Sequence, residues 1–328
     1  MQRIVMISDL HLKAEAPEAR LDNLVETQFK KLEFVYTWAY ENDAIICQAG
    51  DYVDKPRSWY LLPLLTAFLA KWKALGVKTY MVRGQHDTYY YSEASGPATV
   101  IGSLAAGGFL TILDEDPVKL SFGGKTAGGK IVKLYGASFG QAIPVPAKYL
   151  PGNVLITHRE ISDKALFEGH KYYNPKGFLK RHQNFKVILC GDIHRKFQDK
   201  LQSSSKDRLR YIMNSGPMLR LSATTYNFDH KPGFYVWEPY NKISWISIPH
   251  EKAETVLTRS HIEKQEAEDR AMAEFTLMLT SKGQGTDEQK YSGNYRSDLD
   301  EYIQGHKISK DISSQIYSAL ADIDINDL

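Results

Sequence analysis

Cysteine is scarce in this chain: Cys47 and Cys190 are the only two in 328 residues. That is too few for a disulfide framework. Each ends an apolar run, Ala44-Ile45-Ile46-Cys47 and Val187-Ile188-Leu189-Cys190, so both read as buried reduced thiols of core strands. Long apolar runs are missing too, and nothing approaches the ~20 residues of a membrane-spanning helix. The N-terminus enters a strand directly, Arg3-Ile4-Val5-Met6-Ile7, with no charged lead and no signal-like core; a cytoplasmic protein without membrane contact is expected. A charge excess is also lacking. Forty-one Lys+Arg against 39 Asp+Glu leave +2, so any surface for nucleic acid must be local. There is no internal repeat, and Gly124-Lys125-Thr126 is no phosphate loop, because the earlier glycine and the following helix are absent. What remains is 43% hydrophobic and 24% charged, which fits one large core plus a small appendage.

Strand-like segments lie at 2–8, 44–49, 77–82, 130–135, 153–157, 186–190, 209–214, 233–238 and 242–248. Helical patterns fill 21–42, 58–74 (Leu61, Leu62, Leu65, Phe68, Leu69 and Trp72 at helical spacing) and 94–106, starting near Ser95-Gly96-Pro97. The first half therefore reads as βαβ units. From 109 onward the strands crowd together, 123–129 reads as a Gly-rich hairpin, and the second half is expected to be antiparallel. Two stacked sheets with outer helices follow: an α/β fold, a four-layer α/β/β/α sandwich with two mixed sheets. After 250 the character changes. Residues 251–282 read as a charged helix with a stripe of Ala271, Phe275, Leu277, Met278 and Leu279; 283–297 reads as a loop; helices follow near 298–305 and 310–322, with an acidic tail. The expected division is a 1–250 catalytic domain and a 251–328 helical module.

Five motifs fall in order: Asp9-Leu10-His11, Gly50-Asp51-Tyr52-Val53-Asp54, Gly84-Gln85-His86-Asp87, Thr157-His158 and Gly191-Asp192-Ile193-His194. Each follows an apolar, mostly β-branched run, so each sits where a buried strand ends. Carboxylates and imidazoles delivered from several strand ends can converge on one point. Phosphoester hydrolysis at neutral pH needs a nucleophile and neutralised oxygen charge, and two divalent metals supply both. Such a pair needs a bridging carboxylate with mixed oxygen and nitrogen ligands.

The ordered set resembles the calcineurin-like metallophosphoesterase superfamily, over about residues 1–250. Asn214-Ser215-Gly216-Pro217, Arg220-Leu221-Ser222 and Lys231-Pro232-Gly233-Phe234, with Leu12 and Pro56, look like its DNA-repair nuclease branch, the SbcD-type subunit of SbcCD complexes. The short C-terminal region and divergent motifs would suit a phage-encoded member. The resemblance implies that Asp9, His11 and His194 hold one metal and that Asp51 bridges. His158, with Gln85 and Asp192, would hold the other. His86 would donate to the phosphate or leaving oxygen, and Asp87 would orient His86. Two positions depart from the pattern: Gln85 replaces asparagine, and Asp192 replaces the first histidine of Gly-His-x-His. Gln85 keeps the carbonyl ligand and Asp192 replaces imidazole by a harder oxygen donor, so Mn²⁺, then Mg²⁺, is expected over Zn²⁺. A working second site and a weakened one both stay open.

Other candidates are weighed singly. Tyr89, Tyr90 and Tyr91 follow the catalytic loop and could stack on bases or simply pack. Trp59 and Tyr60 read as helix core. Arg195 and Lys196 should reach phosphate; the other basic residues read as a solvated face. His170, His182, His230, His250, His261 and His306 lie outside every motif and read as surface or satisfied core residues. The leading function is a metal-dependent DNA exonuclease, with endonuclease action allowed. By resemblance it would work in recombination or repair with an SMC-like, SbcC-type ATPase bound through the C-terminal region, and a homodimer is expected. The rivals are a phosphatase or cyclic-nucleotide phosphodiesterase, and a non-catalytic scaffold that binds DNA or a partner.

Overall fold

The computed structural model describes residues 3–122, 130–202, 208–239, 242–282 and 295–321. The chain divides into two compact units, Met1–Thr258 and Arg259–Leu328. The first unit runs β1 (Arg3–Ile7), α1 (Leu24–Glu41), β2 (Ala44–Gln48), α2 (Leu61–Ala74), β3 (Thr79–Met81), α3 (Val100–Ala106), β4 (Thr111–Ile112), β5 (Val118–Phe122), β6 (Lys130–Ala137), β7 (Asn153–His158), α4 (Pro175–Arg181), β8 (Val187–Gly191), β9 (Phe197–Gln202), β10 (Leu209–Asn214), α5 (Thr225–Asp229), β11 (Gly233–Trp237), β12 (Ile243–Ser247) and α6 (Ala253–Val256). One sheet has the order β12-β11-β1-β2-β3-β4 and the other β5-β6-β7-β8-β10-β9.

The strands were easy to read because both faces of the inner ones are buried. Along β1, Val5 and Ile7 face the core shared with α1 and α2, while Ile4 and Met6 enter the core between the sheets. Cys47 lies in that inter-sheet core, Cys190 lies in the core of β7, β8 and α4, and both are buried free thiols. Helix, sheet, sheet, helix is thus the layer order, and both sheets are mixed. The expectation of an antiparallel second half is corrected. β6-β7, β7-β8 and β8-β10 are parallel pairs, and within that sheet only the outer pairs with β5 and β9 are antiparallel. Parallel neighbours need long crossovers. Here 138–152 is irregular and 159–186 carries only the short α4, which hid the signal.

Two local readings also change. Thr99 caps α3, its Oγ1 accepting from Gly102 N–H at 3.0 Å, and 93–98 is a separate 3-10 turn. Trp59 and Tyr60 are exposed rather than core, since they lie in the turn before α2 begins at Leu61. Residues 251–258 stay with the first unit: Leu21 N–H donates to Val256 O (3.1 Å) and Thr258 N–H to Ala19 O (2.9 Å). The hairpin expected at 123–129 lies outside the described residues.

The second unit holds α7 (Ser260–Lys282), α8 (Tyr295–Gly305) and α9 (Lys310–Ala321). Leu299 and Ile316 are its buried residues among those described, flanked by Tyr302, Ile303, Ile312 and Tyr317. Residues 295–297, expected in a loop, open α8 instead. Residues 283–294, the acidic tail and the side chains of Phe275, Leu277, Met278 and Leu279 lie outside the description. No described helix is long and apolar enough to cross a membrane.

Candidate metal centre

The carboxyl ends of β1, β2 and β3, side by side in one sheet, meet those of β7 and β8 in the other. The residues just past those ends form one cluster. Asp9, His11, Asp51 and Asp192 all have left-handed backbones, with φ of 45, 44, 53 and 96. Such conformations are uncommon for non-glycine residues and gather at functional sites. Two motif glycines exist for close approach. A Cβ on Gly50, itself at φ 88, would lie 2.4 Å from His158 Nδ1, and one on Gly84 would lie 2.0 Å from Asp51 Oδ1.

Asp9, His11 and His194 can point ligand atoms at one spot, as can Asp9, Asp51 and His158. The Nε2 atoms of His11 and His194 are 2.8 Å apart. Asp51 Oδ2 lies 3.4 Å from His11 Nε2 and 3.3 Å from His158 Nε2, which puts it between the two groups. Asp51 Oδ1 is held by the His86 backbone N–H at 2.9 Å. His158 is aimed by its Nδ1, 2.6 Å from Ala49 O. Asp9 Oδ1 accepts from Asp192 N–H at 2.9 Å, and Gln85 Nε2 donates to Asp192 Oδ1 at 2.8 Å. The two positions that depart from the family pattern therefore touch each other.

Burial opposes charge on Asp51, yet His158, His11 and His86 outweigh it and hold the carboxyl down at about 2. Burial also opposes an imidazolium at His158; Asp51, Asp9 and Asp192 overcome it and raise the ring to about 10. At Asp9 burial wins, reinforced by Asp51 and Asp192, and the carboxyl stays well above its usual range. Burial, then His11, pushes His194 down to about 3.

Asp9 Oδ2, Asp51 Oδ2, Gln85 Oε1 and His158 Nε2 are buried without a hydrogen-bond partner. Buried polar atoms rarely stay unpaired, and these are all cation-ligating types. The donor set fits two divalent ions.

Asp87 departs from expectation. Its carboxylate accepts from the backbone N–H groups of Tyr52 (3.0 Å), Val53 (3.2 Å) and Gly84 (2.9 Å), which ties the two loops together. The 3-10 turn at Gln85–Asp87 sends Asp87 inward and His86 outward, so adjacency in sequence does not become contact. His86 Nδ1 is instead 2.8 Å from the backbone carbonyl of Asp54. Asp54, which closes the second motif, joins the cluster from its outer side. Its carboxylate lies 3.5 Å from His11 Nδ1 and pairs with Lys13; burial opposes its charge, but those partners hold it low.

Two hollows flank the cluster and share His86. One, of about 490 Å³, is lined by His11, His194, Arg195, Ser222 and Tyr226. The other, of about 450 Å³, is lined by Lys55, Arg57, Gln85 and Tyr89–Tyr91. Arg195 lies 5.4 Å from the Tyr226 ring centre, whereas Lys196 turns onto Trp245 at 4.1 Å. Tyr226, missed in sequence, accepts from Lys196 N–H at 2.9 Å. His230 is a satisfied buried histidine, with Nε2 2.7 Å from Pro217 O.

The family profile described as calcineurin-like phosphoesterase matches residues 2–196. No curated protein matches the chain. Similar solved structures include TT1561 of Thermus thermophilus, at 12% identity and TM-score 0.43 over 76% of this chain and 99% of that one. A dimetal phosphatase from Danio rerio is similar at 11% identity and TM-score 0.42, over 76% and 97%. A 5'-nucleotidase precursor from Thermus thermophilus is similar at 11% identity and TM-score 0.41, over 84% of this chain and 59% of that one.

Proposed function

This chain belongs to the calcineurin-like phosphoesterase family, and from that premise we propose that it is a metal-dependent DNA nuclease. It would act as an exonuclease, with endonucleolytic cuts as a second mode, in recombination or repair. The observation that carries the hydrolytic part is the convergence of Asp9, Asp51 and His158 on one spot, with Asp9 Oδ2, Asp51 Oδ2 and His158 Nε2 buried and without a hydrogen-bond partner. Asp9, His11, His194 and Asp51 would hold one ion; Asp51, His158, Gln85 and Asp192 would hold the other. When bound, the ions supply an activated water and neutralise phosphate charge. Oxygen donors outnumber nitrogen in the second set, which favours Mn²⁺ and then Mg²⁺.

The chain's own residues do the rest. His86, steadied through Nδ1 by Asp54 O, keeps Nε2 free to donate a proton to the departing oxygen when the ring is charged. Asp87 acts as a positioning residue that holds the Gly84 and Tyr52 loops. Arg195 would take a backbone phosphate. DNA is favoured over a small phosphoester by the basic residues in both hollows, Lys55, Arg57 and Arg195, and by the resemblance at 214–233. The C-terminal unit would bind an SMC-like ATPase.

End-labelled linear DNA tests the reading. Cleavage is expected with Mn²⁺, less with Mg²⁺ and none in chelator. His86→Ala should lower the rate about 10²–10⁴-fold. Turnover of small aryl phosphates with intact DNA would point instead to a phosphatase. Metal-independent DNA binding without hydrolysis, indifferent to His86→Ala, would point to a scaffold.

A further inference from the structure

Tyr89, Tyr90 and Tyr91 follow the Gly84-Gln85-His86-Asp87 loop, and the chemistry above does not use them. They are not alike. Tyr89 is packed: the Arg57 guanidinium lies 4.0 Å from its ring centre, and its N–H donates to Ser95 Oγ at 2.7 Å. The turn closes with Ser92 N–H on Tyr89 O (3.1 Å) and Ser95 Oγ on Ser92 O (2.6 Å). Tyr90 and Tyr91 are 82% and 72% exposed, and both sit in the left-handed region, at φ 53 and 56.

That conformation penalises a bulky side chain, and it persists only where surrounding structure imposes it. Burial would be the usual compensation, yet these rings face water. The turn holds them in the second hollow, beside Gln85, His86, Lys55 and Arg57, with two cations and no carboxylate among its lining residues. Tyr90 meets Tyr89 edge to face at 4.2 Å between centres. Tyr91 lies 6.1 Å from Phe139, which lies 6.4 Å from His158. Ring contacts thus join Arg57 to Tyr90 through Tyr89, and Tyr91 to the candidate ligand His158 through Phe139.

We propose that Tyr90 and Tyr91 form a stacking step for an unpaired nucleobase of the strand whose phosphate lies at the metal centre. Lys55 takes a neighbouring phosphate, while Arg57 stays over the Tyr89 ring. This rests on the phosphodiesterase reading and narrows its substrate to a strand opened near the point of attack. A paired base has its faces covered by its neighbours, so only a base that has left the stack can lie on an exposed ring. Stacking tolerates any base, so the step selects for openness rather than for sequence.

The test uses Tyr90→Gly/Tyr91→Gly, which removes both rings and leaves residues at ease with positive φ. Fluorescence polarisation in calcium buffer gives the affinity of the full chain for a single-stranded oligothymidylate and for the same strand with every base removed. Base removal should weaken wild type about tenfold and the variant about twofold or less. Tyr90→Phe/Tyr91→Phe should bind as wild type does. The glycine variant should melt no lower than wild type, because strain is released. Equal losses in both proteins would overturn the proposal, as would a phenylalanine variant that behaves like the glycine one. A lower melting temperature would assign the rings to holding the loop and overturn it too. Mn²⁺-dependent DNA cleavage with no base effect removes the stacking step and keeps the phosphodiesterase. A base effect with no cleavage under any metal supports the step and removes the phosphodiesterase.

Discussion

On the β1 side of the centre, His11 and His194 bring two imidazoles together, 2.8 Å between their Nε2 atoms, at the edge of solvent. On the β8 side, Asp51 and Asp192 bring carboxylate oxygens to one fully buried imidazole, His158, and Gln85 donates to Asp192. Both departures from the family pattern fall on this second side, and they bond to each other at 2.8 Å. A longer amide meets a shorter carboxylate. Gln85 spends its N–H on Asp192 and leaves its carbonyl oxygen buried without a hydrogen-bond partner. The two halves thus differ in ligand chemistry, with imidazole leading on one and oxygen on the other.

Asp51 is the residue that would make the halves one centre. Asp51→Asn should lower Mn²⁺-dependent DNA cleavage on the order of a thousandfold, because it weakens both ion sites at once. A loss below tenfold would mean that the halves work separately.

Gln85→Ala should act on one half alone. Calorimetric Mn²⁺ titration should show one of two sites weakened about 10–100-fold and the other unchanged. Equal weakening of both, or of neither, would break the assignment of Gln85 to the second ion.

Protons should separate the halves in chelator. His158, raised to about 10, contributes stability that is complete below 6.5 and lost as pH rises through 10. His194, pushed to about 3, is the reverse: its folded form refuses a proton that the unfolded chain takes, so it costs stability as pH falls from 6.5 towards 3. Lys31, pushed by burial to about 7, raises stability with pH over part of the window of His158, so variants are compared with wild type at each pH. The melting advantage of wild type over His158→Gln should shrink from pH 7 to 9. Against His194→Gln, wild type should lose ground from pH 6.5 to 4. Differences that stay flat with pH would remove the electrostatic contrast.

The strands that carry the ligands were legible because burial on both faces leaves unbroken apolar runs ending in polar residues. β9 was not, because Phe197–Gln202 is an edge strand that alternates with exposed polar residues. α4 had its signal in the Asn174 cap and Pro175, but one short helix is faint against a long loop. The ligand types at the centre were readable from the motifs, whereas their mutual contacts were not. Gln85 and Asp192 are 107 residues apart, and only the abutting of two sheets brings them together. His86 and Asp87 are adjacent, and a single tight turn separates their side chains. Sequence names the donors, while direction belongs to the backbone.

The smallest effect should come from a neighbouring pair that sequence treats as equals. Arg195 lines the hollow beside His194, whereas Lys196 lies over the Trp245 ring. An arginine that meets one phosphate contributes about one released counterion to binding, and a lysine turned onto an indole contributes none. Arg195→Ala should therefore weaken DNA binding about 3–10-fold at moderate salt and lower the log–log salt slope by about one. Lys196→Ala should leave that slope unchanged. A salt titration of both variants decides it: equal slopes would mean that the strand does not cross the imidazole half where Arg195 stands. Its path would then have to run by Lys55 and Arg57 on the oxygen half.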